Sequence, residues 1–343
     1  MTGYRMPAEW APHDATWLAW PHNPDTWQGR QKFVFPIWIR MIKALHLHET
    51  VHLLVNEKGM EDEVHHRLEK ADIDFRKVKL HRIPTNDCWM RDIGPTFVKS
   101  PPPFFKAGLV GWVFNSWGEK WPPWDQDALV SSRIAEMMRP LPFFRPGIVL
   151  EGGSIETNGE GLLLTTESCL LHPKRNPKLN RIGIEKILRE HLGVEKILWL
   201  PAGAPQGDDT DGHIDNLARF VSEEIIVAPQ TDDTTDPNFS LYQDNFKSLQ
   251  SMTNPEGGRL KIIPLPVPKP IPFNGSLLPA SYANFYIANG IVLLPVFDDP
   301  KDQEVVQIFK KLFPDRRIVP IPSRDLVVGL GGIHCVTQQQ PGC

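Results

Sequence analysis

The sequence predicts an α/β protein made of about five β-β-α-β units closed into a ring, and three observations carry that expectation. Short apolar runs meet at tight polar turns, twice at Asn-Gly, the strongest short-range hairpin signal. Each hairpin is followed by a helix-length segment and then by a short apolar strand. Polar clusters recur at the strand ends of successive units. A ring brings equivalent loops to one point, whereas an open solenoid spreads them along an edge.

In chain order, "FPIWIRMIKALHLH" and "TVHLLVN" read as a helix and a strand, and "GMEDEVHHRLEK" with "RKVKLHRIP" repeats the pair. "DQDALVSSRIAEMM" reads as a helix and "GIVLEGG" as the strand after it. "SIETNGEGLLLTTES" is a hairpin turning at Asn158-Gly159, with positive φ expected at both turn residues. Beyond it, Ile182, Ile184, Ile187, Leu188 and Leu192 form a rough helical stripe, and "EKILWLP" is a strand. "LARFVSEEIIVAP" turns at Ser-Glu-Glu and leads to the helix "PNFSLYQDNFKSLQSM" and the strand "LKIIPLP". The last hairpin, "NFYIANGIVLLPVF", turns at Asn289-Gly290 and precedes "KDQEVVQIFKKLF" and "RRIVPIP". The prolines are scattered and mark no linker, so a single domain over residues 1–343 is expected.

A hydrophobic content of 41% in 343 residues is enough for a sizeable core. The net charge of -4, with both signs interspersed, offers no basic stripe to nucleic acid and no cationic helix to a membrane. The start, "MTGYRMPAEWAPHDATWLAW", lacks a basic stretch before an apolar one, and no run approaches a membrane span. A cytoplasmic location is expected. Four cysteines are too few for a disulfide scaffold, and no CxxC pair suggests structural zinc. Cys88 and Cys169 read as small buried apolar residues and Cys343 as an exposed terminus.

Four clusters could carry chemistry. In "TNDCWMRDIGP", Asp92 has the local setting of a turn aspartate. In "LEGGSIETNG", Glu151 stands at a strand end before two glycines that permit close backbone approach. "GDDTDGHIDNLARF" is the densest: on an extended segment, His213 and Asp215 would point to one side. A metal site, a solvated acidic loop and a cation pocket with a general acid/base all fit that cluster, although its spacing does not reproduce a calcium loop. Finally, "GLGGIHCVTQQQP" places Cys335 between open glycine backbone and polar residues. It lacks the last glycine, the helix and the acidic ribose ligand of a dinucleotide site.

Together these loops supply a thiol, an imidazole and at least three carboxylates. Carboxylates beside a thiol raise its pKa above about 8.5, which disfavours an ordinary thiol protease. They suit a cationic guanidinium, held in bidentate fashion by carboxylates while its carbon faces sulfur. The substrate's charge would then lower the cysteine pKa on binding.

At these residues the chain resembles the agmatine deiminase and bacterial-type peptidylarginine deiminase family of the guanidine-modifying superfamily. The motifs, in order, are "MPAEWAPHDATWLAWP", "NDCWMRDIGP", "FNSWGEKW", "LEGGSIETNG", "DGHIDNLARF", "ASYANFYIANG" and "GGIHCVTQQQP". The resemblance implies a five-bladed, pseudo-symmetric α/β propeller of ββαβ units forming one catalytic domain. It implies that Cys335 is the nucleophile and His213 the general acid/base. Asp92 and Asp215 would grip the guanidinium, with Glu151 beside them.

Asn284 is expected near the substrate, and Asp209 and Trp89 are expected to read the distal amine of agmatine. No metal or organic cofactor is implied. The expected partner is a small cationic guanidine, agmatine foremost, hydrolysed to N-carbamoylputrescine and ammonia. A homo-oligomer stays open. An enzyme of peptidyl or free arginine would instead need a carboxylate or backbone reader, for which Arg91 and Arg219 are candidates unless structural ion pairs consume them. A guanidinium binder without turnover and a metal-dependent hydrolase are the competing classes. The Trp-rich segment 111–124 is expected to form a lid or wall of the site, most of its tryptophans serving as packing.

Overall fold

The computed structural model describes residues 3–104, 106–201 and 203–342, so the expectation for Cys343 lies outside the described residues. The architecture is mixed α/β. Strands β1 (His13–Ala19), β2 (Thr50–Val55) and β3 (Val78–Arg82) are parallel, joined across helices Gln31–Leu45 and Lys58–Glu69. Parallel neighbours need such crossovers, which is why helical and strand patterns alternate here.

Four further sheets repeat one scheme, an antiparallel pair followed by a helix and a parallel third strand. The second sheet has β4 (Thr96–Lys99), β5 (Ala107–Val110), helix Asp127–Met137 and β6 (Phe143–Phe144). In the third, β7 (Glu156–Thr157) and β8 (Leu162–Thr166) precede helix Arg181–Leu192 and β9 (Lys196–Leu200). The fourth has β10 (Arg219–Phe220), β11 (Ile225–Pro229), helix Phe239–Ser251 and β12 (Lys261–Leu265). After a separate hairpin of β13 (Ile271–Phe273) and β14 (Ser276–Leu278), the last has β15 (Tyr286–Ala288), β16 (Ile291–Val296), helix Asp302–Leu312 and β17 (Arg317–Pro322). Strand β18 (Gln338–Pro341) then pairs antiparallel with β1, joining the two ends of the chain in one sheet.

Three local expectations are corrected. "GIVLEGG" is not the third strand of its unit; Phe143–Phe144 takes that place, and Val149 makes only an isolated bridge to Val113. In the Asn158 turn, Gly159 and Gly161 adopt positive φ while Asn158 does not. Its side-chain oxygen instead accepts from the Glu160 and Leu162 amides, so the loop is wider than a two-residue turn. The helical stripe after it is narrower than expected. Ile184, Leu188 and Leu192 are buried at successive i, i+4 positions, whereas Ile182 is 76% exposed. That helix starts where Asn180 accepts from the Gly183 amide and stops at left-handed Gly193.

The repeat positions the chemistry. Asp92, Glu151, His213 with Asp215, Asn284 and Cys335 each lie in the connection entering the first strand of a unit: β4, β7, β10, β15 and β18. Each such connection arrives from the preceding unit, so equivalent backbone positions present the polar side chains.

Candidate active site

Asp92 sits in the single helical turn Met90–Ile93 and is buried, not a surface turn residue. Its Oδ1 accepts from the Gly153 amide at 2.9 Å and its Oδ2 from the Trp117 indole at 2.9 Å. His213 and Asp215 do not lie on an extended strand, because residues 214–216 form a 3-10 turn. They are nonetheless brought together around Gly153. A Cβ at that glycine would stand 2.6 Å from His213 Nδ1, 2.9 Å from Asp92 Oδ1 and 3.0 Å from Asp215 Oδ2, so no side chain fits there.

Cys335 follows the glycines at the opposite edge of the cluster. Its sulfur lies 3.7 Å from Asp215 Oδ2 and 3.3 Å from Asn284 Nδ2. The glycines before it serve close approach. A Cβ at Gly332 would come within 2.3 Å of Asn284 Oδ1, and one at Gly331 within 2.3 Å of the Trp89 ring. Asn284 uses its oxygen on the His334 amide at 2.9 Å and its nitrogen on Asn216 Oδ1 at 2.9 Å, which fixes the loop that carries the sulfur.

The expected site residues therefore converge, with Glu151 3.9 Å from His213 Nε2 and Asp92 3.8 Å from His213 Nδ1. Both spans exceed hydrogen-bond length. Among the described residues, both His213 nitrogens and Asp215 Oδ1 are buried without a hydrogen-bond partner.

A profile of the Porphyromonas-type peptidyl-arginine deiminases matches residues 5–341. The chain belongs to that family. An agmatine deiminase of Ectopseudomonas mendocina is 39% identical over 99% of this chain and 96% of its own. The structure of an agmatine deiminase of Enterococcus faecalis superimposes with a TM-score of 0.89 at 33% identity, covering 99% of this chain and 96% of that one. A C. jejuni agmatine deiminase with substrate bound gives 0.87 at 27% identity, with 98% and 96% covered.

The electrostatics of this family member's site follow from burial against local charge. Burial, then Asp215 and Asp92, push the Cys335 thiol well above the ordinary cysteine range. Burial alone would lower His213, yet Asp92, the Cys169 thiol and Glu151 outweigh it and raise its pKa well above the usual histidine value. Burial would raise Glu151, but Arg175 and then His213 hold it down to about 2. Asp92 is raised by burial, with Asp215 and Glu151 adding repulsion.

Asp209 is half-buried, and its Oδ2 accepts from the Trp121 indole at 2.7 Å. Burial and then Asp208 push it up to about 6. Trp89 is buried against Trp27 and the glycine loop. Arg91 and Arg219 are both consumed by Glu9, at 3.3 and 2.9 Å, and Arg219 also by Glu156 at 2.9 Å; they are structural ion pairs. Of the Trp-rich segment, Trp117 reaches Asp92 from the turn Ser116–Glu119, which has positive φ at all four residues. Trp112 is buried packing, its N–H on Thr96, and Trp121 is largely exposed.

Sequence reasoning gave no site role to Arg175, which grips both Glu151 oxygens through Nε at 3.0 and 2.9 Å and Asp211 at 2.7 Å. Glu9 carries no local signal either, and Cys169 is the small buried residue that the sequence predicts. Adjacency to Cys335 is the one signal that marks His334; the others act through contacts distant in sequence. Glu151, Cys169 and His213 bring donor atoms within 4.8 Å of one another. A cation entering there would have to displace the Arg175 guanidinium from Glu151. No described helix is long and apolar enough to cross a membrane.

Proposed function

We propose that the chain is an agmatine deiminase that works through a covalent Cys335 intermediate. The observation that carries this reading is the unpartnered buried Asp215 Oδ1, on a carboxylate whose Oδ2 lies 3.7 Å from the Cys335 sulfur, together with both unpartnered His213 nitrogens. A buried acceptor without a donor, as Asp215 Oδ1 is, costs free energy, and a planar guanidinium supplies donors for Asp215 and Asp92 together.

The binding cation offsets the two carboxylates that keep the Cys335 thiol protonated. The thiol proton passes to solvent, where the released ammonia becomes ammonium, and the thiolate adds to the guanidinium carbon. His213, held as an imidazolium, gives its proton to one nitrogen of the tetrahedral adduct, which leaves as ammonia and yields the thiouronium intermediate. The neutral imidazole then takes a proton from water, whose oxygen adds to the same carbon. The C–S bond breaks as the adduct's hydroxyl proton returns to sulfur, releasing the ureido product. The balance is one guanidinium and one water in, one urea group and one ammonium out.

Agmatine is favoured over arginine because acids surround the site while Arg91 and Arg219 are committed to Glu9 and Glu156. The nearby Lys120 is paired with Asp211 at 2.8 Å. Asp209 would receive the distal ammonium, with Trp89 as a wall. A peptide is further disfavoured because Cys335 is only 5% exposed.

The finer architecture we infer is a single catalytic domain of residues 1–343, a five-bladed propeller. Glu9 supports it by accepting from Arg219 on β10, Ile287 on β15, Arg91 before β4 and His334 before β18. Such a hub fits a ring axis. The cleavage product, a carbamoylated amine, fits putrescine synthesis in the cytoplasm.

Rapid acid quenching tests the covalent step. The peptide containing Cys335 should gain the mass of agmatine less ammonia. Ammonia release that persists in Cys335→Ser would overturn the proposal.

A further inference from the structure

His334 stands between two buried carboxylates. Its Nδ1 lies 2.8 Å from Asp215 Oδ2 and its Nε2 2.9 Å from Glu9 Oε2. An ionised carboxylate only accepts hydrogen bonds, so both ring nitrogens must donate, and an imidazole that donates twice is an imidazolium. All three side chains are almost wholly removed from water.

Glu9 is fixed independently of the ring. Its Oε1 accepts from Arg219 Nη2 at 2.9 Å and from the Ile287 amide at 2.8 Å, while Arg91 Nη2 reaches its Oε2 at 3.3 Å. Other charges face the triad as well. Arg219 carries Glu156; Asp92 and His213 lie beside Asp215; and Cys335 follows His334 directly.

We infer that His334 is a positioning residue, a buried imidazolium anchored by Glu9 that keeps Asp215 ionised and aims its free Oδ1 at the substrate guanidinium. The last clause rests on the proposed clamp; the state of the ring does not. His334 and the Cys335 sulfur both face Asp215 Oδ2, which leaves the unpartnered Oδ1 as the substrate's acceptor. Its positive charge also offsets the anion that would otherwise stand unpaired beside sulfur. Consistent with this, burial alone would raise the Asp215 pKa, but His334 and then His213 hold it below the ordinary aspartate value.

The test has two arms. In wild-type protein with 15N-labelled histidine, the His334 ring should show both nitrogens protonated at pH 7 to 8. A neutral tautomer, with the proton on Glu9 or Asp215, would overturn the inference without reference to turnover. In His334→Gln, Asp215 loses its cation and its pKa rises. The acid limb of kcat/KM for agmatine should move up by about one pH unit or more, and KM near neutrality should rise about tenfold. A fall in kcat with KM and the acid limb unchanged would mark a merely structural residue and refute the role. Should the variant not fold, the ring spectrum still decides. Should wild type turn over no guanidine at all, the proposed function fails while the spectrum still reads the triad.

Discussion

The Trp117 indole donates to Asp92 Oδ2 at 2.9 Å from a turn whose residues Ser116, Trp117, Gly118 and Glu119 have φ of 55, 53, 86 and 67°. Left-handed backbone at three non-glycine residues costs free energy, so the tertiary contacts of the turn must hold it. Trp117 with Asp92 and Lys120 with Asp211 are two such contacts.

Replacing Trp117 with Phe keeps a ring but removes the donor. A hydrogen bond to a charged acceptor contributes about 1.5–3 kcal/mol. Steady-state kinetics of Trp117→Phe should therefore show kcat/KM reduced about ten- to hundredfold, with a lowered thermal midpoint because the same bond holds the turn. Unaltered kinetics would mean that Trp117 merely fills space.

The Arg175–Glu151 pair is fully buried. Breaking such a pair strands a charge and costs about 3–5 kcal/mol. Arg175→Met should lower unfolding free energy in urea by that amount, with Arg175→Lys between it and wild type. Equal stability of all three would contradict the ionised pair.

The proposed role of Asp209 as acceptor of the distal ammonium makes agmatine binding depend on pH. With its pKa at about 6, its carboxylate is lost as pH falls through that value. The KM for agmatine should rise about tenfold between pH 7 and 5 relative to an alkylguanidine without the amine. Asp209→Asn should abolish the difference. If the two substrates keep parallel pH profiles, Asp209 does not read the amine.

Much of the fold is legible in the sequence because hairpin turns, helical stripes and short apolar strands are local signals. The Asn289-Gly290 and Ser-Glu-Glu hairpins pair as expected. The misplaced strand at Phe143–Phe144 shows the limit. Two phenylalanines among prolines carry no alternation, and it is the pairing with Leu109 and Val110 that makes them a strand. In the site, Asp92, Glu151, His213, Asp215, Asn284 and Cys335 are legible as polar residues at unit boundaries. Arg175 and Glu9 were not, because an arginine or glutamate in a polar segment reads as solvated until its buried partner is known.

Asp127 supplies a test of stability alone. Burial pushes its carboxyl up to about 7, while two backbone amides, those of Asn86 and Asp87, bind its Oδ1. The folded pKa lies above the unfolded one, so the folded state binds the proton more tightly. The contribution is fully present below about pH 4 and is lost as pH rises through about 7, at no more than about 1.4 kcal/mol per unit. Urea unfolding should show wild type losing stability across this window relative to Asp127→Asn, whose oxygen can still accept from both amides. Parallel stability curves would contradict the raised pKa.

Ammonia release measured side by side on agmatine, free arginine and a blocked arginine peptide, with Cys335→Ala as control, tests the central claim most directly. Release from agmatine at a kcat/KM far above the other two, and none from the control, is the expected result. Equal or better release from the peptide, or ammonia from the Cys335→Ala protein, would contradict it.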